Sequence, residues 1–402
     1  MNLLAGYPFW LIKDGLPFNY PALENDIHTD VVIIGGGISG ALMGYYLGNA
    51  GVDCVIVDSR TIGLGSTCAS TSLLQYETDT QLHILKDKVG LQNAVTAYKL
   101  GEEAVIKLGT IDKAIGCNEY ETKKSLYYAA EKKHLPSLKK EFITRKENNF
   151  KVVYLEEGSI QQSYGLSIPA PAILSETAAQ TDAYKFTHAL HQYSKQKGVK
   201  IYDRTDVIKI DHRKNSIVLT TANGCTIKAK KLVYANGYEA VNYIDKKMVT
   251  LHSTYAAASE QCTADIAFWK DETLVWNTAD PYLYMRTTKD RRIVIGGRDE
   301  LFTNTSQRDI LIRHKSKLLK RDVEKLLPSI NYKQEFTWAG TFAITKDGLP
   351  FIGAMRHTPN SYFSLGYGGN GITFSLIGAE IITDLIVTGK SKHGNLFSFD
   401  RS

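Results

Sequence analysis

The feature that most constrains this chain is a short apolar run that ends in glycines. Asp30-Val-Val-Ile-Ile34 is β-branched and continuously apolar, as a strand buried on both faces of a sheet must be. Gly35-Gly36-Gly37-Ile38-Ser39-Gly40 follows at once and fits G-x-G-x-x-G, opening a helix expected over residues 38–50. Cys54-Val-Ile-Val57 is a second buried strand, so the three pieces form one βαβ unit. Gly35 permits the tight turn, Gly37 lets backbone approach a pyrophosphate, and Gly40 lets helix and strand pack closely. The helix start, at Ile38 and Ser39, offers free N–H groups and a positive dipole end to phosphate. Asp58 ends the second strand, ahead of Ser59 and Arg60, where an acid can hydrogen-bond a ribose hydroxyl. The unit reads as dinucleotide-binding, and the fold class as α/β.

Charge and cysteine usage remove several other classes. Lys and Arg number 48 against 42 Asp and Glu, a mild excess over 402 residues with no dense basic run, so a nucleic-acid partner is not expected. The five cysteines are scattered, with no CxxC pair or Cys/His cluster, so neither a metal site nor a disulfide framework is expected. A reducing, cytoplasmic setting is the simplest expectation. The N-terminus lacks a basic region before an apolar run. The most apolar C-terminal stretch, residues 374–387, is broken by Glu380 and Asp384, so no membrane span is expected.

Along the chain, residues 1–29 read as an extended arm with Pro8, Pro17 and Pro21. Residues 81–146 read as helical. Four alternating segments between residues 199 and 229 read as hairpin strands, with Asn223-Gly224 as a turn. Leu232-Val-Tyr-Ala235 reads as a further strand running into Asn236-Gly237. β signals return over residues 251–297, and residues 309–327 read as a basic amphipathic helix. No linker divides the chain. We therefore expect interleaved domains: residues 1–85, 181–240 and 335–402 binding the dinucleotide, and residues 86–180 and 241–334 forming a mixed-sheet substrate domain flanked by helices.

Two further glycine-rich segments point to FAD as the dinucleotide. Gly63-Leu-Gly65-Ser66-Thr67 leads into Cys68-Ala-Ser-Thr-Ser72, small hydroxyl-rich backbone suited to lie along a long cofactor. Gly366-Tyr-Gly-Gly369-Asn370-Gly371 opens another apolar helix at Ile372. A helix N-terminus favours negative charge, which a reduced flavin carries on one ring edge and a nicotinamide does not.

With these landmarks the chain resembles the FAD-dependent amine oxidoreductases, the family of D-amino acid oxidase, glycine oxidase and sarcosine oxidase. The segments 284–297 and 336–342 are similar to those of gamma-glutamylputrescine oxidoreductase within it. The resemblance implies a Rossmann-like FAD-binding domain whose dinucleotide contacts are Gly35, Gly37, Gly40, Asp58, Gly65, Ser66 and Thr67. It also implies that Val207 meets the adenine and that Leu73 and Leu74 lie near the flavin ring. Gly340 would lie against the ring, with Gly369 to Thr373 at its pyrimidine edge, and Ala235, Asn236 and Gly237 complete the expected cofactor contacts. Gly340 stands where sarcosine oxidase has its flavin-linking cysteine, so the FAD is expected to be non-covalent. Val294 stands where that enzyme has the lysine that promotes reaction with oxygen. The groups that hold substrate carboxylates in sarcosine oxidase and glycine oxidase align with Thr373 and Phe342, so neither familiar way of holding an amino acid is available.

The implied reaction is oxidation of a CH–NH bond in a primary or secondary amine by hydride transfer to the flavin, the imine then being hydrolysed. Such chemistry needs alignment more than a catalytic triad, so no catalytic residue is assigned. Substrate-side candidates are Arg298 after Gly296-Gly297, and Tyr282, Tyr284 and Arg286, which share one face of a strand. Phe342, Trp338 (core or pocket wall) and Tyr76 complete the set. Oxidation of a 2-hydroxy acid and a non-catalytic flavin-binding module are the alternatives, and the electron acceptor is open.

Overall fold

The strand Ile27–Ile34 lies inside an eight-stranded sheet, flanked in parallel by Thr226–Tyr234 and Cys54–Val57. The computed structural model describes residues 3–243 and 248–401. Lys200–Tyr202 extends this sheet beyond Cys54–Val57, and Ser361–Leu365 and Phe351–Ala354 extend it on the other side. Val32, Ile33, Val55 and Ile56 are fully buried, as strands covered on both faces require. The helix Ile38–Asn49 covers one face and packs against Ala183–Gln196 and Gly371–Thr388.

A second, ten-stranded sheet carries the long antiparallel strands Val249–Ser259, Ile293–Leu301 and Gln334–Thr345, then Leu283–Thr287, Leu274–Asn277, Glu121–Tyr128 and Ala172–Gln180. Its members also include Leu4–Gly6 and Leu73–Gln75, which, with residues 335–345 of the strand Gln334–Thr345, fall in the segments expected to bind FAD. The helix Thr305–Leu326 backs this sheet, starting at Asn304, whose side chain accepts from the Gln307 N–H.

Four local expectations need correction. Residues 81–146 are not wholly helical. Helices Leu82–Val89, Leu91–Ala114 and Leu135–Glu147 are interrupted by the strand Glu121–Tyr128, whose outer half is charged and whose pairing on both sides overrides propensity. The arm is not all extended, since Phe9–Asp14 is a helical turn that buries Phe9 and Trp10. The strands expected at 226–229 and 232–235 are one element, Thr226–Tyr234, antiparallel to Ile217–Thr221 and parallel to Ile27–Ile34. The C-terminal helix runs over the 18 residues Gly371–Thr388, long and apolar enough by length and composition to cross a membrane. It packs instead against Ile38–Asn49 and Leu91–Ala114, with Glu380 turned outward to Lys107 and Tyr46. The five cysteines are free thiols.

The helix Ala183–Gln196 ties the glycine turn to the core. His191 Nε2 lies 2.9 Å from the Gly36 carbonyl and donates to it as the neutral tautomer. His188 lies one turn earlier, its Nδ1 3.2 Å from the Tyr20 hydroxyl. Burial pushes both imidazoles down to about 4. Between pH 6.5, the ordinary value, and about 4, the unfolded chain therefore holds protons that the folded chain refuses. Stability rises with pH across that window and is lost on acidification, by up to about 1.4 kcal/mol per pH unit per histidine. We predict that His191→Gln, which can keep the bond to Gly36, loses less melting temperature between pH 7 and pH 5 than the wild type. Parallel curves for the two proteins would contradict this.

Candidate functional site

The glycine turn is built by close approach. Gly35 has φ +111°, and a Cβ there would meet the Ala235 carbonyl oxygen at 2.5 Å. A Cβ on Gly40 would fall 1.8 Å from the Gly35 carbonyl, so only glycine lets the helix sit this near the strand. The Gly40 site is thus packing, as its motif position requires, and it does not border the cavity described next.

That cavity, of about 560 Å³, runs between the two sheets. One end is walled by Asp58, Ser59, Arg60, Val207 and Glu239. Asp58 accepts from the Gly36 N–H at 2.7 Å and the Arg60 N–H at 2.9 Å, bonds that work against the upward push of burial on its carboxyl. The Arg60 guanidinium pairs with Glu239 at 2.6 Å. The middle is walled by Gly35, Gly37, Ile38, Ser39, Gly65, Ser66 and Thr67 on one side and Ala235, Asn236 and Gly237 on the other. Ile38 N–H donates to Thr67 Oγ1 at 3.0 Å, fixing the second glycine-rich segment over the start of the helix. Asn236 Oδ1 is buried without a partner among the described residues.

The far end is walled by Leu73, Gly340, Phe342, Gly369, Asn370, Gly371 and Ile372, then by Asp79, Trp276, Tyr282 and Tyr284. Asn370 Nδ2 donates to the carbonyls of Gln75 at 3.1 Å and Glu77 at 2.8 Å. The start of the C-terminal helix is thereby bound to the segment after Leu73–Gln75. Asp79 is held between two walls: its Oδ1 accepts from Tyr282 Oη at 2.9 Å and its Oδ2 from the Gly369 N–H at 2.8 Å. Burial pushes the Asp79 carboxyl up. Behind it Asp299 is pushed up to about 7, by burial first and with the charge of Asp79 adding. Glu77 is fixed by the wholly buried Arg145, which bonds it at 2.9 Å and Glu141 at 2.6 Å. Glu141, beside Arg145 and bonded by His83, is held down at about 2 despite its burial.

The structure separates the expected substrate residues into two groups. Tyr282, Tyr284 and Phe342 border the cavity. Arg298, Arg286, Trp338 and Tyr76 do not. Arg298 turns to the helix Thr305–Leu326 and forms a two-pronged pair with Asp322 at 2.5 and 2.9 Å, not with its sequence neighbours Asp299 or Glu300. Arg286 is buried beneath the wall, donating to the carbonyls of Ser72 and Thr181 at 2.7 and 2.9 Å, and burial lowers it to about 10. Trp338 donates to the Ala69 carbonyl from the core, and Tyr76 stacks on Phe150. Of the cofactor set, Leu74 is core and Thr373 spends its hydroxyl on the Gln75 carbonyl at 3.4 Å. Arg286 is the cross-strand partner of Val294, one strand away. Sequence reasoning missed Asp79, Thr254 and Trp276. Only the polar run Glu77-Thr-Asp79-Thr after an apolar strand hinted at the first.

A cavity bounded by the starts of two long helices, by backbone with no side chain at Gly37, and by an acid at the end of the second strand fits an FAD laid from Asp58 toward Gly340. The fold and this site define a flavin-dependent oxidoreductase. The chain belongs to the FAD dependent oxidoreductase family, whose model matches residues 30–385. It is 22% identical to the glycine oxidase of Bacillus subtilis over 374 residues, covering 92% of this chain and 96% of that one. It is 22% identical to gamma-glutamylputrescine oxidoreductase of Escherichia coli over 380 residues, covering 91% and 85%. Among solved structures it superposes on glycine oxidase from Geobacillus kaustophilus with a TM-score of 0.78 at 20% identity, covering 93% of this chain and 99% of that one. L-proline dehydrogenase from P. horikoshii gives a TM-score of 0.75 at 19% identity, covering 92% and 96%. The cofactor is FAD.

Replacing Gly37 tests the cradle. A Cβ there would stand 2.8 Å from Thr67 Oγ1, the atom that receives the Ile38 N–H, and on the side where the phosphates must lie. Gly37→Val is expected to purify colourless, with a lower melting temperature because bound ligand no longer stabilises the native state. A flavin content equal to that of the wild type would show that the cofactor lies elsewhere.

Proposed function

We propose that the protein oxidises the CH–NH bond of a primary or secondary amine, using non-covalent FAD. The observation that carries this reading is the charge of the cavity wall. Five acids border it, Asp58, Glu77, Asp79, Asp206 and Glu239, and one base, Arg60, which sits at the dinucleotide end. A 2-hydroxy acid would bring a carboxylate to the far end, beside Asp79 and with no cation lining that end. Burying an unpaired carboxylate beside another costs several kcal/mol. An amine brings no such charge. Gamma-glutamylputrescine oxidoreductase, by its name, acts on an alkylamine, which accords with this choice.

When bound, FAD supplies the hydride acceptor for the carbon beside nitrogen, and water hydrolyses the imine that leaves. The chain's own part is placement. Tyr282, Tyr284, Trp276 and Phe342 form walls that exclude water and align the substrate carbon. No cysteine or histidine borders the cavity among the described residues, which supports a cofactor held without a covalent bond. Five free thiols accord with the cytoplasm as its compartment.

Anaerobic bleaching of the yellow protein separates the readings. A panel of primary and secondary amines is expected to discharge the flavin absorbance near 450 nm at rates that saturate with concentration, while 2-hydroxy acids leave it unchanged. Bleaching by the hydroxy acids alone would overturn the proposal. Bleaching by neither panel would favour a flavin-binding module without turnover.

A further inference from the structure

The far end of the cavity is more specific than an amine pocket need be. Trp276 and Tyr282 meet edge to face with centroids 6.3 Å apart and planes at 78°, and Tyr282 and Tyr284 are tilted by 50° at 5.7 Å. The three rings therefore present walls in different planes around one space. A glycine pair on the next strand makes the arrangement possible: a Cβ on Gly296 would stand 2.4 Å from the Tyr284 ring, and one on Gly297 would stand 2.3 Å from the Tyr282 carbonyl. Asp79 closes the space, each of its oxygens taking one neutral donor, Tyr282 Oη or the Gly369 N–H. No Lys, Arg or His among the described residues forms an ion pair with it. The nearest base that acts on it is His252, itself pushed below the ordinary imidazole value by burial. Glu77 adds a second carboxylate to the same wall, with Oε1 taken by Arg145 and Ser175 and Oε2 buried without a partner among the described residues.

The Asp79 carboxylate is half-buried and faces the cavity with no cation against it among the described residues, and rings set at angles offer negative faces with nothing positive between them. Both deficits are met by one ligand group, an alkylated ammonium, which is large, weakly hydrated and positive. We propose that Asp79, Trp276, Tyr282 and Tyr284 form an ammonium-binding site, and that the substrate is an alkylamine with no carboxylate beside its nitrogen, which binds as the ammonium and passes one N–H proton to Asp79 before the hydride leaves. The inference rests on the amine reading above and narrows it: amino acids, whose carboxylate would face Asp79, are excluded. Thr254 Oγ1 lies 3.3 Å from Tyr284 Oη and orients that ring.

The test uses the flavin-loaded protein and non-reactive probes, so it reads binding and not turnover. Butyltrimethylammonium has no nitrogen lone pair and cannot give up a hydride. A neutral probe of the same shape, with carbon in place of the nitrogen, and butyrate serve as comparisons, all three titrated by calorimetry and by perturbation of the flavin spectrum. The cation is expected to bind at least about tenfold more tightly than either comparison, the weight of one desolvated cation–π contact. Asp79→Asn should remove most of that advantage while leaving the neutral probe within about threefold. Equal binding of cation and neutral probe, or tighter binding of butyrate, would overturn the proposal. So would an Asp79→Asn protein that still discriminates like the wild type. If that variant loses its flavin, Trp276→Leu, which removes one ring without touching the Gly369 loop, gives the same comparison. Bleaching by amino acids in a protein that ignores the cation would sink this inference and leave amine oxidation standing.

Discussion

Everything in this molecule is arranged around the contact between Gly40 and the carbonyl of Gly35. With no side chain at either position the helix Ile38–Asn49 settles directly on the central strand, and its first turn borders the cavity. The second glycine-rich segment is pinned there by Thr67, the second strand by Asp58, and the helix Ala183–Gln196 by His191 from behind. The C-terminal helix then packs on the same helix, with Ser39 and Ser375 joined at 2.7 Å, which brings Asn370 and Gly371 to the far end. One close approach thus sets where both ends of the cofactor cavity lie.

The two ends differ in charge, and that difference carries the functional argument. At the dinucleotide end Arg60 and Glu239 neutralise one another beside Asp58. At the other end Asp79 has only neutral donors, and the two arginines that could have offered a positive wall are occupied elsewhere. Arg298 spends its charge on Asp322, and Arg286 on backbone carbonyls. In a site shielded from water such imbalance selects the sign of the ligand more strongly than shape does. Membership of the family sets the cofactor and the type of chemistry. On the function proposed above, these few charges select the substrate.

Much of the cavity wall was legible in the sequence because it is built largely of backbone at glycines. Glycines at fixed offsets, a buried strand and a terminal acid are local signals, and Gly35, Gly37, Asp58, Thr67 and Asn370, expected from them, border the cavity. Asp79, Thr254 and Trp276 were not expected. They come from three segments far apart in the chain, and their shared wall exists only once the second sheet has formed. Arg298 misled for the same reason, since its partner Asp322 lies on a helix whose packing no local pattern reveals. The strand Glu121–Tyr128 was lost among helices because its charges follow the solvent-facing half, while pairing with Ala172–Gln180 and Leu274–Asn277 decides its conformation. The glycine pair Gly296-Gly297 was visible, but its part in the packing was not. It makes room for two tyrosines and does not present the next residue to the substrate.

A crystal structure of the flavin-loaded protein tests the central claim most directly. The account predicts a diphosphate against the backbone of Gly37 and Ile38, a ribose on Asp58, and a ring system ending between Gly340 and Gly369-Gly371, with Asp79, Trp276, Tyr282 and Tyr284 facing the space beside it. A flavin that fills that space itself, or that lies outside the cavity, would contradict the account.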